Sequence, residues 1–319
     1  MTSAAGARRT DMVDRRSFLT DVMAGVVSLG SHAATPTKII DTHVHFYDPT
    51  RAQGVPWPPK NEKLLYRPVL PPELSGIVKP LGVTGVIEVE ASPLVEDNQW
   101  VLDLAEREPL IVATVGHLEP EAPQFAAQLE RFHRDPRFRG IRCGNLWNKN
   151  LAARISDDRF ISGLKLLAQA NLEMDTANPT PELLAAVVRL TDRVHNLRVV
   201  IDHLPIDDPS DPALKKQLAQ TYRELAGRPQ VYIKVSNVPR RVNAHVVEEP
   251  SYYRPALDHL WELFDADRLV YGSNWPVSNL VAPYEVAFRI VKEYFGSKGQ
   301  EATEKYFWRN AANVYGLNV

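Results

Sequence analysis

An α/β fold, specifically a (β/α)8 TIM barrel, is predicted for this 319-residue chain by three observations. Short β-branched runs alternate with longer amphipathic stretches, and eight such pairs can be counted. The region from residue 38 onward is long enough for this fold, which typically needs about 250 residues. No GxGxxG or GxxxxGK[ST] follows any strand, so neither a dinucleotide fold nor a P-loop is supported.

The strands are read at 38–45, 85–91, 111–117, 138–144, 171–177, 197–203, 230–236 and 268–274. Helices are expected near 72–80, 95–107, 121–134, 157–170, 180–195, 211–226, 252–264 and 283–296, with one more around 300–315. Three begin with capping signals: Asp157-Asp158, Thr180-Pro181-Glu182 and Asp211-Pro212. Two connections are long. Residues 46–71 hold six prolines and Trp57, and residues 237–251 hold Arg240, Arg241 and His245. Both belong on the C-terminal face, where barrel enzymes place their chemistry.

Composition excludes several classes. Lys+Arg 37 against Asp+Glu 39 gives a net charge of −2, mixed along the chain, which is not a nucleic-acid-binding surface. The single cysteine, Cys143, rules out an internal disulfide framework and a Cys-rich metal site. At the N-terminus, Asp14-Arg15-Arg16-Ser17-Phe18-Leu19 precedes a short apolar stretch and Ser31-His32-Ala33-Ala34. Residues 1–33 are therefore expected to be a twin-arginine export signal, and residues 38–319 the barrel of a periplasmic protein. No other apolar run approaches the roughly 18 residues of a membrane span, so no membrane association is expected after export.

Strand alternation puts Asp41, His43 and His45 on one face and Ile40, Thr42 and Val44 on the other, with the polar set expected inside the barrel. Two imidazoles stacked at a barrel rim are costly to bury without a role. His203 ends the sixth strand at the same rim, and His117 ends the third. On the second strand, Val86, Glu88 and Glu90 share one face, so Glu90 is expected inside, with Ile87 and Val89 against the helices. Trp57, Trp147 and Trp275 lie on rim loops as candidate walls for a ring-shaped substrate, and Arg240 is a candidate clamp for a carboxylate.

Taken in order, Asp41-x-His43-x-His45-Phe46, Gly140-Ile141-Arg142, Asp202-His203-Leu204-Pro205, Lys234-Val235-Ser236 and Gly272-Ser273-Asn274-Trp275-Pro276 resemble the amidohydrolase-related (amidohydrolase 2) family. Within it the chain is most similar to the sugar-lactone and pyrone-dicarboxylate lactone hydrolases. The likeness spans about 38 to 318. It implies an amidohydrolase-like barrel in which His43, His45 and His203 surround the carbonyl of a small-molecule substrate. It also implies that Arg142 binds the substrate, with Lys234 a further substrate contact.

The strand-eight position, Asn274 here, is an aspartate that activates water in most catalytically understood relatives, and an amide cannot take that proton. Glu90 is then a candidate replacement base, its alternative being a structural ion pair with Lys234 or Arg142. The three imidazoles offer either one divalent metal such as zinc or a metal-free centre. The fifth strand carries no histidine, which argues against two metals. Competing readings are a metal-dependent decarboxylase of an aromatic or unsaturated acid and a non-catalytic binding barrel. The sequence leaves the oligomeric state and the individual substrate open.

Overall fold

Seven of the eight barrel strands carry valine or isoleucine. The computed structural model describes residues 34–318, so the expected export signal lies outside the described residues. The barrel strands are β1 (Ile40–Val44), β2 (Gly85–Val89), β3 (Ile111–Gly116), β4 (Phe138–Arg142), β5 (Glu173–Asp175), β6 (Val199–Leu204), β7 (Val231–Val235) and β10 (Leu269–Tyr271). Between the last two lies a small antiparallel hairpin, β8 (Arg241–Val242) with β9 (His245–Val246), inside the long 237–251 connection. The eight barrel strands pair in parallel in chain order. The ring closes where His45 N donates to Trp275 O and Asn274 N donates to His43 O, each at 2.9 Å. All eight expected strands are present.

Helix starts follow the capping signals. Asp157 accepts from Arg159 N, Thr180 from Leu183 N, and Asp211 from both Ala213 N and Leu214 N. A short helix at Leu151–Arg154, capped by Asn150, is additional to the expected set. The expected C-terminal helix is broken into Gln300–Glu304, a wide π turn at Lys305–Arg309, and Asn310–Tyr315.

Two layers of apolar packing result. The outer one joins Val86, Ile141, Met174, Ile201, Ile233 and Tyr271 to the surrounding helices. The inner one fills the barrel floor with Ile40, Ile87, Val89, Val115, Val200 and Val270, plugged from below by Ala311, Val314 and Tyr315. This floor corrects the expected faces on two strands. Below the rim a barrel interior is itself a packed apolar core, so Ile87 and Val89 point inward and Glu88 does not. On β1 the register slips between Asp41 and Val44, so Ile40 is inside while the Asp41 carboxylate accepts from Tyr284 Oη, 2.9 Å away on the outer helix layer. His43 falls within the slip and His45 beyond it, and both rings remain inside.

Candidate active site

Three imidazoles meet at the C-terminal end of the barrel. The His43 ring centroid is 4.9 Å from that of His45 and 4.6 Å from that of His203. His43 and His45 are buried, and His203 is partly open. His45 Nδ1 is 2.7 Å from Val89 O, and its Nε2 is 3.3 Å from both His43 Nε2 and Asn274 Oδ1. His203 Nδ1 is 2.9 Å from Ser236 Oγ, which also accepts from His203 N. Both His203 and Asn274 sit at φ 62°, a left-handed backbone that costs a non-glycine residue about 1–3 kcal/mol and turns each side chain over the rim.

Burial pushes all three rings toward the neutral form. His45 is lowered to about 3, first by desolvation and then by Arg142. His43 falls well below the ordinary imidazole value through burial, Lys234 and His45, and His203 through burial and His43.

Directly beneath His43 lies a buried ionic knot. Lys234 Nζ is 2.5 Å from Asp175 Oδ2, 2.9 Å from Asp202 Oδ1 and 3.4 Å from His43 Nδ1. Tyr315, from the helix plugging the floor, donates to Asp175 Oδ1 at 2.9 Å. Burial lowers the Lys234 pKa, but Asp175 and Asp202 outweigh that and raise it, so the ammonium persists. Asp175 is raised to about 6 by desolvation and Asp202. Glu173, on the same face of β5, is driven well above the carboxylate range by burial and Asp175, and stays protonated. Two glycines make this crowding possible: a Cβ at Gly140 would overlap Glu173 Oε1, and one at Gly272 would lie 2.9 Å from His43 Cβ and 3.1 Å from Lys234 Cγ and Cδ.

The remaining sequence candidates divide into those at the site and those elsewhere. Arg142 reaches the rim from β4, with Nε 2.9 Å from Glu90 Oε1 and Nη2 2.7 Å from Glu90 O. Glu90 therefore stands at the rim as the partner of Arg142. It also accepts from Trp147 Nε1 at 3.2 Å and from Ser92 N at 3.0 Å. Trp57 packs edge-on to His45, 5.9 Å between centroids, so the long 46–71 loop does reach the site. His117 turns to Glu119 at 3.2 Å, within a rim cluster that includes Arg154 and Glu121.

Three expectations are corrected. Lys234 is fully buried below His43 with its donors already engaged, so it does not touch substrate. Arg240 spends its guanidinium on Asp207 and on the carbonyls of Pro205, Asn237, Val238 and Pro239, and lines a separate groove with Tyr222, Tyr253 and His259. Trp275 is wholly buried against Phe46 rather than lining a rim pocket. Asp175, Asp202 and Tyr315 were not singled out as site residues by the sequence. The signal for Asp175 was the i, i+2 pair of acids on β5, and for Asp202 its place beside His203 in the strand-six motif.

Among the described residues, His43, Asp202 and His203 have ligand atoms within 4.8 Å of one another. That set does not fit a divalent cation. The Lys234 ammonium already occupies the cationic position between Asp202 and His43, and a dication on the same carboxylate would face it as a like charge.

Residues 40–317 match the family described as amidohydrolase. An L-fucono-1,5-lactonase from Burkholderia ambifaria is 31% identical over 255 residues, covering 77% of this chain and 82% of that protein. A second L-fucono-1,5-lactonase, from Burkholderia multivorans, is 28% identical over 291 residues, covering 87% and 96%. Among solved structures, an amidohydrolase from Burkholderia multivorans, solved with bound HEPES and with bound zinc, superposes with a TM-score of 0.77 at 25% identity. That alignment covers 88% of this chain and 99% of the other.

Proposed function

The chain belongs to the amidohydrolase family, and from that premise we propose that it is a lactonase that opens a sugar-type lactone by adding water to the carbonyl carbon. The observation that carries this reading is the convergence of His43, His45 and His203 beside Arg142, in a chain similar to two L-fucono-1,5-lactonases.

His203 is the base in this reading. Its Nδ1–H donates to Ser236 Oγ, whose hydroxyl turns toward Lys234 O at 3.5 Å, leaving Nε2 bare. Glu90 is committed to Arg142 and Trp147, and Asn274 orients water without taking its proton. Of the five N–H donors of Arg142, two serve Glu90, and the rest are available to the carbonyl oxygen as it gains charge. Water attacks the carbonyl carbon and passes its proton to His203 Nε2. The ring C–O bond then breaks, and the departing alkoxide takes that proton back to give the hydroxy acid.

The same proposal extends to place: the Arg15-Arg16 motif and the small-residue end at Ala33 support export to the periplasm. The test is a panel of aldonolactones and hydroxybenzoates, followed by base consumption and CO2 release. Lactone turnover is expected, falling on the order of 10²–10⁴-fold in His203→Asn with the fold intact by near-UV circular dichroism. Release of CO2 with no base consumption, or full activity in His203→Asn, removes the reading.

A further inference from the structure

We propose that Lys234 is a positioning residue for this centre: from beneath the barrel rim it fixes which ring nitrogen of His43 carries the proton, and so makes His43 a hydrogen-bond donor rather than a metal ligand. The proposal deepens the lactonase reading and rests on it for its kinetic consequence, but its structural claim stands apart from any substrate.

A chain of hydrogen bonds whose two ends have fixed polarity sets the positions of the protons. At one end is Val89 O, 2.7 Å from His45 Nδ1. A carbonyl only accepts, so His45 carries its proton on Nδ1 and its neutral ring leaves Nε2 bare. The next contact is His43 Nε2 to His45 Nε2 at 3.3 Å, and a bare nitrogen there needs a donor, so His43 carries its proton on Nε2. His43 Nδ1 is then bare, and the group facing it at 3.4 Å is the Lys234 ammonium, which only donates. The two ends agree on one arrangement of protons, in which the Asn274 amide turns its Nδ2–H rather than its Oδ1 toward the bare His45 Nε2.

The donor count agrees as well. An ammonium has three N–H groups, and Lys234 has three acceptors around it: Asp175 Oδ2, Asp202 Oδ1 and His43 Nδ1. The opposite tautomer would set His43 Nδ1–H against the ammonium, donor facing donor, with Asp202 Oδ2 at 3.6 Å too distant to accept well. That opposite tautomer is the one a metal bound at His43 Nε2 requires, because a ligating nitrogen must be bare. Lys234 therefore works against metal capture at the His43–His45 pair while holding the His43 ring still. Asp175 holds Lys234, and Tyr315 in turn holds Asp175.

The test uses the full mature protein with histidine ¹⁵N labelling at pH 7, and Lys234→Met and Lys234→Arg variants. In the unsubstituted protein, the His43 nitrogen shifts are expected to report a proton on Nε2, and those of His45 a proton on Nδ1. In Lys234→Met the two His43 forms should mix, kcat on the responsive lactone should fall on the order of 10²-fold with KM within about threefold, and zinc affinity by titration should rise at least about tenfold. Lys234→Arg should recover part of kcat, because a guanidinium also donates.

His43 found with its proton on Nδ1 in the unsubstituted protein overturns the proposal, even if Lys234→Met fails to fold. A folded Lys234→Met with unchanged His43 shifts and unchanged zinc affinity also overturns it and leaves Lys234 a purely structural ion. Absence of lactone turnover in every protein with the expected shifts refutes the lactonase reading alone.

Discussion

Two buried polar clusters lie on opposite sides of the strand layer and are built differently. Inside the barrel, Lys234 bonds Asp175, pairs with Asp202 as an ion and faces His43 Nδ1, and Asp175 is met in turn by Tyr315, although the carboxyl oxygens of Asp202 and Glu173 take no hydrogen bond of good geometry. Outside, between β2, β3 and the helix Val95–Arg107, Arg51 pairs with Asp97 at 3.0 Å and stacks on Trp100. There Glu88 Oε1, Asp97 Oδ2, Thr114 Oγ1 and Arg51 Nη1 have no protein partner. A cavity of about 20 Å³ adjoins Arg51, Glu88 and Asp97, roomy enough for a water molecule. The inner cluster fixes angles directly, as an imidazole that must present one particular nitrogen requires. The outer one only has to neutralise charge and hold down a loop, and a solvent-sized gap serves for that.

The sharpest way to break this contrast is Asp175→Asn. It leaves the buried ammonium half-paired, and unfolding in urea should show a loss of about 3 kcal/mol or more. A loss below about 1 kcal/mol would mean that the inner knot is as slack as the outer chamber. A second probe is acid. His45 has its pKa lowered to about 3 in the folded state from 6.5, so its contribution to stability is complete above pH 6.5 and drains away as pH falls toward 3. At pH 5 the loss is about 2 kcal/mol. His45→Gln lacks that contribution and should lose about that much less stability than the unsubstituted protein between pH 7 and pH 5. Parallel pH curves for the two proteins would show that the ring is not held neutral.

The smallest effect is expected outside the barrel. Burial and Glu90 hold the Glu88 carboxyl well above its ordinary range, so it is protonated at neutral pH and Glu88→Gln replaces one neutral group by another. Thermal or urea unfolding should shift by less than about 1 kcal/mol. A shift as large as that of Asp175→Asn would make Glu88 an ionised partner of Arg51 and erase the distinction between the clusters.

Eight strands, their order and the three capped helix starts could be read from the sequence because they depend on local composition: β-branched runs, and Asp or Thr before a Pro or an acid. The meeting of His43, His45 and His203 was legible too, because each falls at a strand end and every strand end shares one rim. What failed depended on depth. Alternation says which residues share a face, but the faces of β2 were assigned by assuming a polar interior, whereas Ile87 and Val89 fill an apolar floor. The slip between Asp41 and Val44 has no signature in composition, so Asp41 was placed inside although it bonds Tyr284 outside. Lys234 was read as a substrate contact for a related reason. An inward lysine at the rim and one a layer lower look alike until Asp175 and Asp202, from other strands, are seen to surround it.

Gly272 supplies no atom to the reaction, yet β10 can approach β1 and β7 only because that position lacks a side chain. Its effect is on evolutionary freedom. A methyl there would wedge His43 from Lys234, so lineages drifting toward new substrates have little room to vary at 272. The broader latitude lies in the connecting loops that carry Trp57 and Trp147, where whole residues can be exchanged without disturbing the ionic floor underneath.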